Sequence, residues 1–292
     1  MDIAAGDREP VSAGRQALAA ELRRLRDLEG RSGRDLASRI GISQSKVSRI
    51  ESGSTVPSLP EVIAWGKELG VSVDVQEKLV SLTEAAYTEV HPWRAALQRR
   101  GHLQDDIQEQ ESTARAVHVF QPSVVPGLLQ TAEYARKVCS LFQVPYSPDD
   151  LTAAVASRLH RQLALYEPER RFEFLITEAA LRWRPGPPRL LLAQLDRIAS
   201  VSTLENVSIG LIPHDVEAVT FTSHGFVVYD GDDEEQDATV SVETIHAKVT
   251  VNAPEGIELY RQRWLLLRQM AVFGDEARRF LGGLTTEITA AG

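Results

Sequence analysis

The sequence is short of the residues that build covalent or metal-held scaffolds. Its one cysteine, Cys139, excludes an intramolecular disulfide and a cysteine-rich zinc site, and suits a reducing cytoplasm. The seven histidines are scattered, without H-E-x-x-H or another metal-ligand spacing, so no metal is expected. No G-x-S-x-G elbow, P-loop or dinucleotide-binding glycine pattern occurs, and neither an enzyme nor a cofactor is expected. No run of about 18 apolar residues offers a membrane span. The opening MDIAAGDREPVSAGR is polar and acidic, unlike a secretory signal or a basic transit peptide, and residues 1–13 read as a flexible arm. The four consecutive acids Asp232 to Glu235 lack the glycine an EF-hand needs and read as a solvated hairpin loop.

What is present is ordinary globular composition, 43% hydrophobic and 25% charged, on 292 residues, enough for one small and one larger domain. The charge of −9 is unevenly spread. Residues 1–100 hold 15 Lys and Arg against 14 Asp and Glu, a balance of +1, and residues 101–292 hold the other 17 against 27, a balance of −10. Between Arg15 and Arg49 there are nine basic residues and four acids, a local excess that fits a phosphate-binding footprint or a solvated helix face equally well.

That basic segment has helical spacing. Leu18, Leu22, Leu25 and Leu28 recur at steps of three and four up to Gly30. SGRDLASRIG then places Leu36, Ala37 and Ile40 on one face and ends at Gly41, and Ser43 is a credible N-cap for QSKVSRIES. In this third helix Val47 and Ile50 turn inward while Ser45, Ser48, Arg49 and Ser52 point away. Ala64, Trp65 and Leu69 mark a fourth helix; Val75, Leu79, Leu82 and Ala86 mark a fifth. The small Ala37, the turn Gly-Ile-Ser and the two inward aliphatics meet the steric needs of a helix-turn-helix.

GRDLASRIGISQSKVSRIESG resembles the helix-turn-helix of Cro/repressor-type, XRE-family regulators, and the similarity runs from about Gly14 to Val73. The resemblance implies that the third helix enters the major groove of double-stranded DNA, with Gln44 and Ser45 facing base edges. Lys46, Ser48 and Arg49 are candidates for bases or flanking phosphates, and Arg23, Arg34 and Ser32 for phosphates. Where this class carries a bracing glutamine at the start of the second helix, this sequence has Gly33, with Arg34 or Ser32 as substitutes. The resemblance also implies an ion pair between Arg26 and Glu51 that links the first and third helices rather than touching DNA.

Beyond HPWRAALQRRGHLQ, a basic connector holding Trp93, helices alternate with β-rich runs. AVHVF, RFEFLIT, NVSIGLI, GFVVYD, ATVSVE and KVTV read as strands, and PEGIELYRQRWLLLRQMA as the helix that closes the domain. The expected architecture is a mainly α helix-turn-helix bundle, 14–90, a linker, 91–104, an α+β domain with a mixed or antiparallel sheet, 105–285, and a tail, 286–292. SVVPGLLQTAEYARKV, SRLHRQLALYE, FLITEAALRW and HGFVVYD resemble landmarks of a C-terminal domain of unknown function found in actinobacterial, antitoxin-like regulators. Pro126 and Gly127 should form a turn, with Leu128, Leu129 and Tyr134 packed inward. Gln130, Thr131, Arg158, Arg161, Gln162 and Glu178 suit three readings: buried structural hydrogen bonds, a partner surface, or, last, a small-molecule pocket.

The expectation is a cytoplasmic, homodimeric, sequence-specific transcriptional regulator whose C-terminal domain binds a protein partner or signal. The alternative is an antitoxin-like protein that sequesters a small companion protein and autoregulates its operon.

Overall fold

The computed structural model describes residues 13–92, 114–142, 146–231, 238–245 and 247–290. Most of the expected linker, Trp93 and the acidic tip 232–237 lie outside the described residues. The chain divides into two units between Val90 and His91.

In the first unit five helices enclose one core: α1 (Ala13–Leu28), α2 (Gly33–Ile40), α3 (Gln44–Glu51), α4 (Leu59–Glu68) and α5 (Val73–Tyr87). Leu18, Leu22, Leu25, Leu36, Val47, Ile50, Val62, Trp65 and Leu79 are buried in it. Each three-residue step on a helix falls about 60° short of a full turn. Leu28, reached by two such steps from Leu22, has therefore rotated off the stripe and is 67% exposed, although it continues the leucine spacing. Serines start the helices: Ser32, Ser43 and Ser72 each accept a backbone N–H of the first turn, a cap worth about 1 kcal/mol. Gly41 ends α2 at φ 74°, a left-handed conformation that favours glycine.

In the second unit the strand order is β7-β6-β5-β2-β3-β4. The strands along the chain are β1 (Thr88–Pro92), at the division between the units, β2 (Ala116–Gln121), β3 (Arg171–Thr177), β4 (Val207–Ile212), β5 (Phe226–Asp230), β6 (Thr239–Glu243) and β7 (Ala247–Val251). β2, β3 and β4 run parallel, while β2–β5, β5–β6 and β6–β7 are antiparallel, so the sheet is mixed. The β-rich runs are thus strands; β1 was not foreseen.

Strand alternation sorts the side chains into two layers. Val117, Val119, Phe172, Phe174, Ile176, Ile209 and Leu211 face a core shared with α6 (Ala132–Ser140), α8 (Glu178–Arg182), α9 (Pro188–Val201) and α11 (Gly274–Ala290). Phe120, Leu175, Ile212, Phe226 and Val228 face Trp264 and Leu267 of α10 (Pro254–Gln269) and Met270 at its C-cap. The remaining helix, α7 (Pro148–Arg161), continues into a 3-10 turn, Gln162–Tyr166. The helix expected to close the domain is α10, and α11 follows it. Residues 286–290, expected as tail, continue α11, with Ile288 only 3% exposed. Among the described residues no helix is long and apolar enough to cross a membrane, and no cluster of His, Cys, Asp or Glu is placed to hold a metal ion.

On the α10 side of the sheet, His118 lies between two carboxylates. Its Nε2 is 3.3 Å from Asp230 and its Nδ1 3.5 Å from Glu173. The second distance is an electrostatic contact rather than a hydrogen bond, since Nδ1 has no hydrogen-bond partner among the described residues. α10 closes the cluster, with Arg261 on Asp230, Arg268 on Glu173 and the Trp264 ring 5.1 Å from the imidazole. Burial pulls the His118 pKa down, but Asp230 and Glu173 outweigh it and push the pKa up to about 9. A raised histidine pKa stabilises the fold fully below its unfolded value of 6.5, and the contribution is lost as pH rises through about 9.

The second unit should therefore lose on the order of 2 kcal/mol between pH 6.5 and 9.5. Hydrogen-exchange protection factors of the β2 amides, with the intrinsic base-catalysed rate divided out, measure this: protection should fall over that window in the native chain and stay level in His118→Gln. A flat profile in the native chain contradicts the assignment.

Candidate nucleic-acid interface

α2 and α3 meet through a turn in which the Gly41 and Ile42 N–H groups both donate to Ala37 O. Ala37 is 3% exposed, and its small side chain permits the close crossing. Val47 and Ile50, each 1% exposed, dock α3 on the core. The rest of α3 faces outward: Gln44, Ser45, Ser48 and Arg49 are all exposed. At the helix start Ser43 Oγ accepts the Lys46 N–H at 3.1 Å and lies 2.9 Å from Ser45 Oγ.

Two ion pairs hold α3 from its inward flanks. Arg26 grips Glu51 in a bidentate pair, Nε–Oε1 2.6 Å and Nη2–Oε2 2.8 Å, and donates through Nη1 to the Arg31 carbonyl at 2.8 Å. Both side chains are largely buried, at 13% and 12% exposure. The Glu51 hydrogen bond raises the Arg26 pKa against the opposing effect of burial. On the other flank Lys46 Nζ meets Glu61 Oε1 at 2.5 Å, while Glu61 Oε2 accepts the Ser58 N–H at the start of α4. Burial pushes the Glu61 carboxyl up, but Lys46 and Ser58 outweigh it and hold it below its usual value. Lys46 is thus engaged with α4.

Most of the basic excess is neutralised in the same way. Arg24 pairs with Glu21, Arg31 and Arg39 with Asp35, and Arg39 also with Glu68. Among the described residues Arg34 and Arg49 have no carboxylate partner and remain available to phosphates. Ser32 caps α2 by accepting the Asp35 N–H at 3.1 Å and keeps its hydroxyl proton for an outside acceptor. Arg23 stands apart from this group. It lies 3.8 Å from Asp27 and lines a shallow groove of about 650 Å³ with Leu28, Glu51 and Ser52, at the end of α3 opposite Gln44.

At Gly33 an added Cβ would meet only Val47 Cγ1, at 3.4 Å, an ordinary contact. A side chain can therefore start at this position without a backbone clash.

In the second unit the polar landmarks form a network around the VPGLLQT turn. Gln130, 2% exposed, donates to the Val125 carbonyl at 2.7 Å and accepts from Arg158 Nη1 at 2.8 Å. Gln162 donates to the Gln130 carbonyl at 2.7 Å. Thr131 caps α6, and its N–H donates to Gln194 Oε1 at 2.8 Å, while Gln194 Nε2 donates to the Leu129 carbonyl at 2.7 Å. Three glutamines thereby satisfy the carbonyls of a turn that would otherwise be buried unpaired. Sequence reasoning missed Gln194, fully buried on α9 among leucines; its one signal is a polar residue on an apolar helix face. Glu178, 2% exposed, accepts from Arg182 at 2.5 Å and from the His214 backbone N–H at 3.0 Å. Burial raises its pKa, but His214 and Arg182 outweigh that and hold it below the usual value. Gln130, Thr131, Gln162 and Glu178 thus take structural roles; Arg161 is half-buried in the last turn of α7.

Residues 17–79 match a family described as a helix-turn-helix domain, and residues 104–283 match one described as a domain of unknown function, DUF5753. The second match spans more than half of the sequence: the chain belongs to the DUF5753 family and bears a helix-turn-helix domain toward its N-terminal end. A search of curated proteins finds no match. Among solved structures the chain is similar to the clp gene regulator ClgR of Corynebacterium glutamicum, 24% identical with a TM-score of 0.23, over 34% of this chain and 95% of ClgR. The phospholipase D family member Nuc of Salmonella typhimurium is 12% identical with a TM-score of 0.33, over 64% of this chain and 97% of Nuc. The archaeal chromatin protein TrmBL2 is 12% identical with a TM-score of 0.32, over 71% of this chain and 65% of that one. Likenesses this distant say nothing about the function of this chain.

Two predictions arise from this geometry. Glu51→Ala leaves the largely buried Arg26 with only the exposed Asp27 as counter-charge and should cost the first unit about 3 kcal/mol in urea unfolding, whereas Arg26→Met with Glu51→Leu should recover most of it; a cost below about 1 kcal/mol would mean that Asp27 and solvent already compensate the charge. Gly33→Gln should leave the melting temperature unchanged or raised, since a helix position exchanges glycine for a better former, and should tighten DNA binding several-fold in fluorescence anisotropy. Unchanged affinity would show that Ser32 and Arg34 already supply the brace.

Proposed function

We propose that this protein is a sequence-specific DNA-binding transcriptional regulator, not an enzyme, that works as a homodimer in the cytoplasm and whose second unit answers to a protein partner or signal. The observation that carries this reading is the orientation of α3: Val47 and Ile50 anchor it, and Gln44, Ser45, Ser48 and Arg49 stand clear of the core. A helix so presented fits the major groove, where glutamine pairs bidentately with adenine through N6 and N7. Arg34 and Arg49 supply the charge for flanking phosphates, and Lys46 acts as a brace rather than a reader.

The homodimer is supported by the size of the interface. One eight-residue helix reads few base pairs, and useful specificity comes from two half-sites one helical turn, about 34 Å, apart. An acidic second unit, with a balance of −10 over residues 101–292, is repelled by the phosphate backbone and suits a role away from DNA. A small companion protein, as in an antitoxin-like arrangement, would fit that role.

Selection of bound duplexes from a random pool, followed by binding titrations in salt, tests the reading. Gln44→Ala should relax preference at one position per half-site, at a cost of about 1–3 kcal/mol per contact. Arg49→Ala should weaken all sequences alike and reduce the salt slope by about 1, while Arg39→Ala, whose charge is already paired, should leave the slope unchanged. Selection that yields no common sequence would sink the regulator reading.

A further inference from the structure

Among the described residues of the second unit, Arg158 and Arg197 are half-buried and meet no carboxylate. Arg158 of α7 donates Nη1 to Gln130 Oε1 at 2.8 Å, and Arg197 of α9 donates Nη2 to Gln162 Oε1 at 3.4 Å and Nη1 to the Tyr166 hydroxyl at 3.2 Å. These acceptors are neutral. The Gln130 amide nitrogen donates to the Val125 carbonyl and that of Gln162 to the Gly127 and Gln130 carbonyls, so each carboxamide is fixed with its oxygen toward an arginine. The buried Arg158 Nε has no hydrogen-bond partner among the described residues.

The contrast lies within the same unit. Arg170, Arg182, Arg261, Arg268 and Arg278 all meet carboxylates. In a segment with ten more acids than bases, local neutralisation was readily available, yet among the described residues Arg158 and Arg197 meet no carboxylate. A partly desolvated guanidinium on a neutral acceptor retains most of its attraction for an anion, and its planar fork matches a carboxylate. Beside the pair, Leu163 and Tyr166 are 58% and 55% exposed. A lone inorganic anion has no use for that apolar area, whereas a peptide covers it, and tyrosine and arginine are the residues that dominate protein interfaces.

We propose that Arg158 and Arg197, held by Gln130 and Gln162, form a carboxylate clamp for an acidic peptide segment of a protein partner, with Leu163 and Tyr166 as its apolar rim. This rests on the reading of the second unit as partner-binding and gives that partner a chemistry.

The test is a titration of the full chain, arginine side chains labelled with ¹⁵N, at constant ionic strength. The probe is the acetylated, amidated peptide Leu-Glu-Glu-Leu-Glu-Glu, with its Gln-for-Glu analogue and inorganic phosphate as comparisons. The Nε signals of Arg158 and Arg197 should shift saturably with the acidic peptide and at least tenfold more weakly with either comparison. Arg197→Gln, which leaves the Gln130 contacts intact, should weaken the peptide at least tenfold with an unchanged melting temperature, whereas Arg171→Gln, at an exposed position, should not. Arg158→Lys, which keeps the charge without the fork, should fall between.

Absence of a saturable shift overturns the proposal. So does equal binding of phosphate, which would make this a free-anion site, and so does an equal loss in Arg171→Gln, which would reduce it to general charge attraction. DNA binding measured on the same samples separates the two readings: its retention by a chain that ignores the peptide sinks the clamp alone, and its absence with the peptide bound sinks the regulator alone.

Discussion

The bidentate pair between Arg26 and Glu51 decides what α3 can do. Two hydrophobic anchors one turn apart leave a short helix free to roll about its axis, and rolling would move every outward side chain. The pair ties the last residue of α3 to α1, and the third donor of Arg26, on the Arg31 carbonyl, ties both to the start of the α2 segment. Lys46 and Glu61 complete the restraint from α4. A largely buried ion pair contributes little net stability over a hydrophobic substitute, but breaking it is costly, and here its geometry sets one orientation. Removal of one partner is therefore expected to act on stability before it acts on base preference.

The same pairing logic narrows the electrostatics. The basic excess between Arg15 and Arg49 has the outline of a broad phosphate footprint in the sequence; in the fold Glu21, Asp35, Glu51, Glu61 and Glu68 absorb most of it. Arg34 and Arg49, flanking the outward face of α2 and α3, are left. In the second unit the half-buried Arg158 and Arg197 meet neutral carboxamides in place of acids.

What was legible in the sequence was local. The helix-turn-helix follows from spacings of three and four residues around Ala37, Gly41, Val47 and Ile50, and the strands from alternation within runs of five to seven residues. The Arg26–Glu51 pair came from family resemblance, since 25 residues separate its members. What was not legible depends on distant segments meeting. His118 acquires its raised pKa from residues on β3 and β5, Gln194 is 65 residues from the carbonyl it satisfies, and Leu28 continues a leucine pattern that the packing abandons. The VPGLLQT landmark illustrates the limit: its polar members invited a ligand reading, and the fold spends Gln130 on the turn itself.

The central claim is that the N-terminal end of α3 lies in the major groove with Gln44 on an adenine. Base-analogue interference measures this most directly: in a selected binding site each adenine is replaced in turn by 7-deazaadenine, which lacks the N7 acceptor but pairs normally. Binding should fall about tenfold or more at one adenine in each half-site, the two positions related by the two-fold axis, and the effect should vanish in Gln44→Ala. Uniform tolerance of the analogue, or the same sensitivity in Gln44→Ala, would contradict the placement of α3.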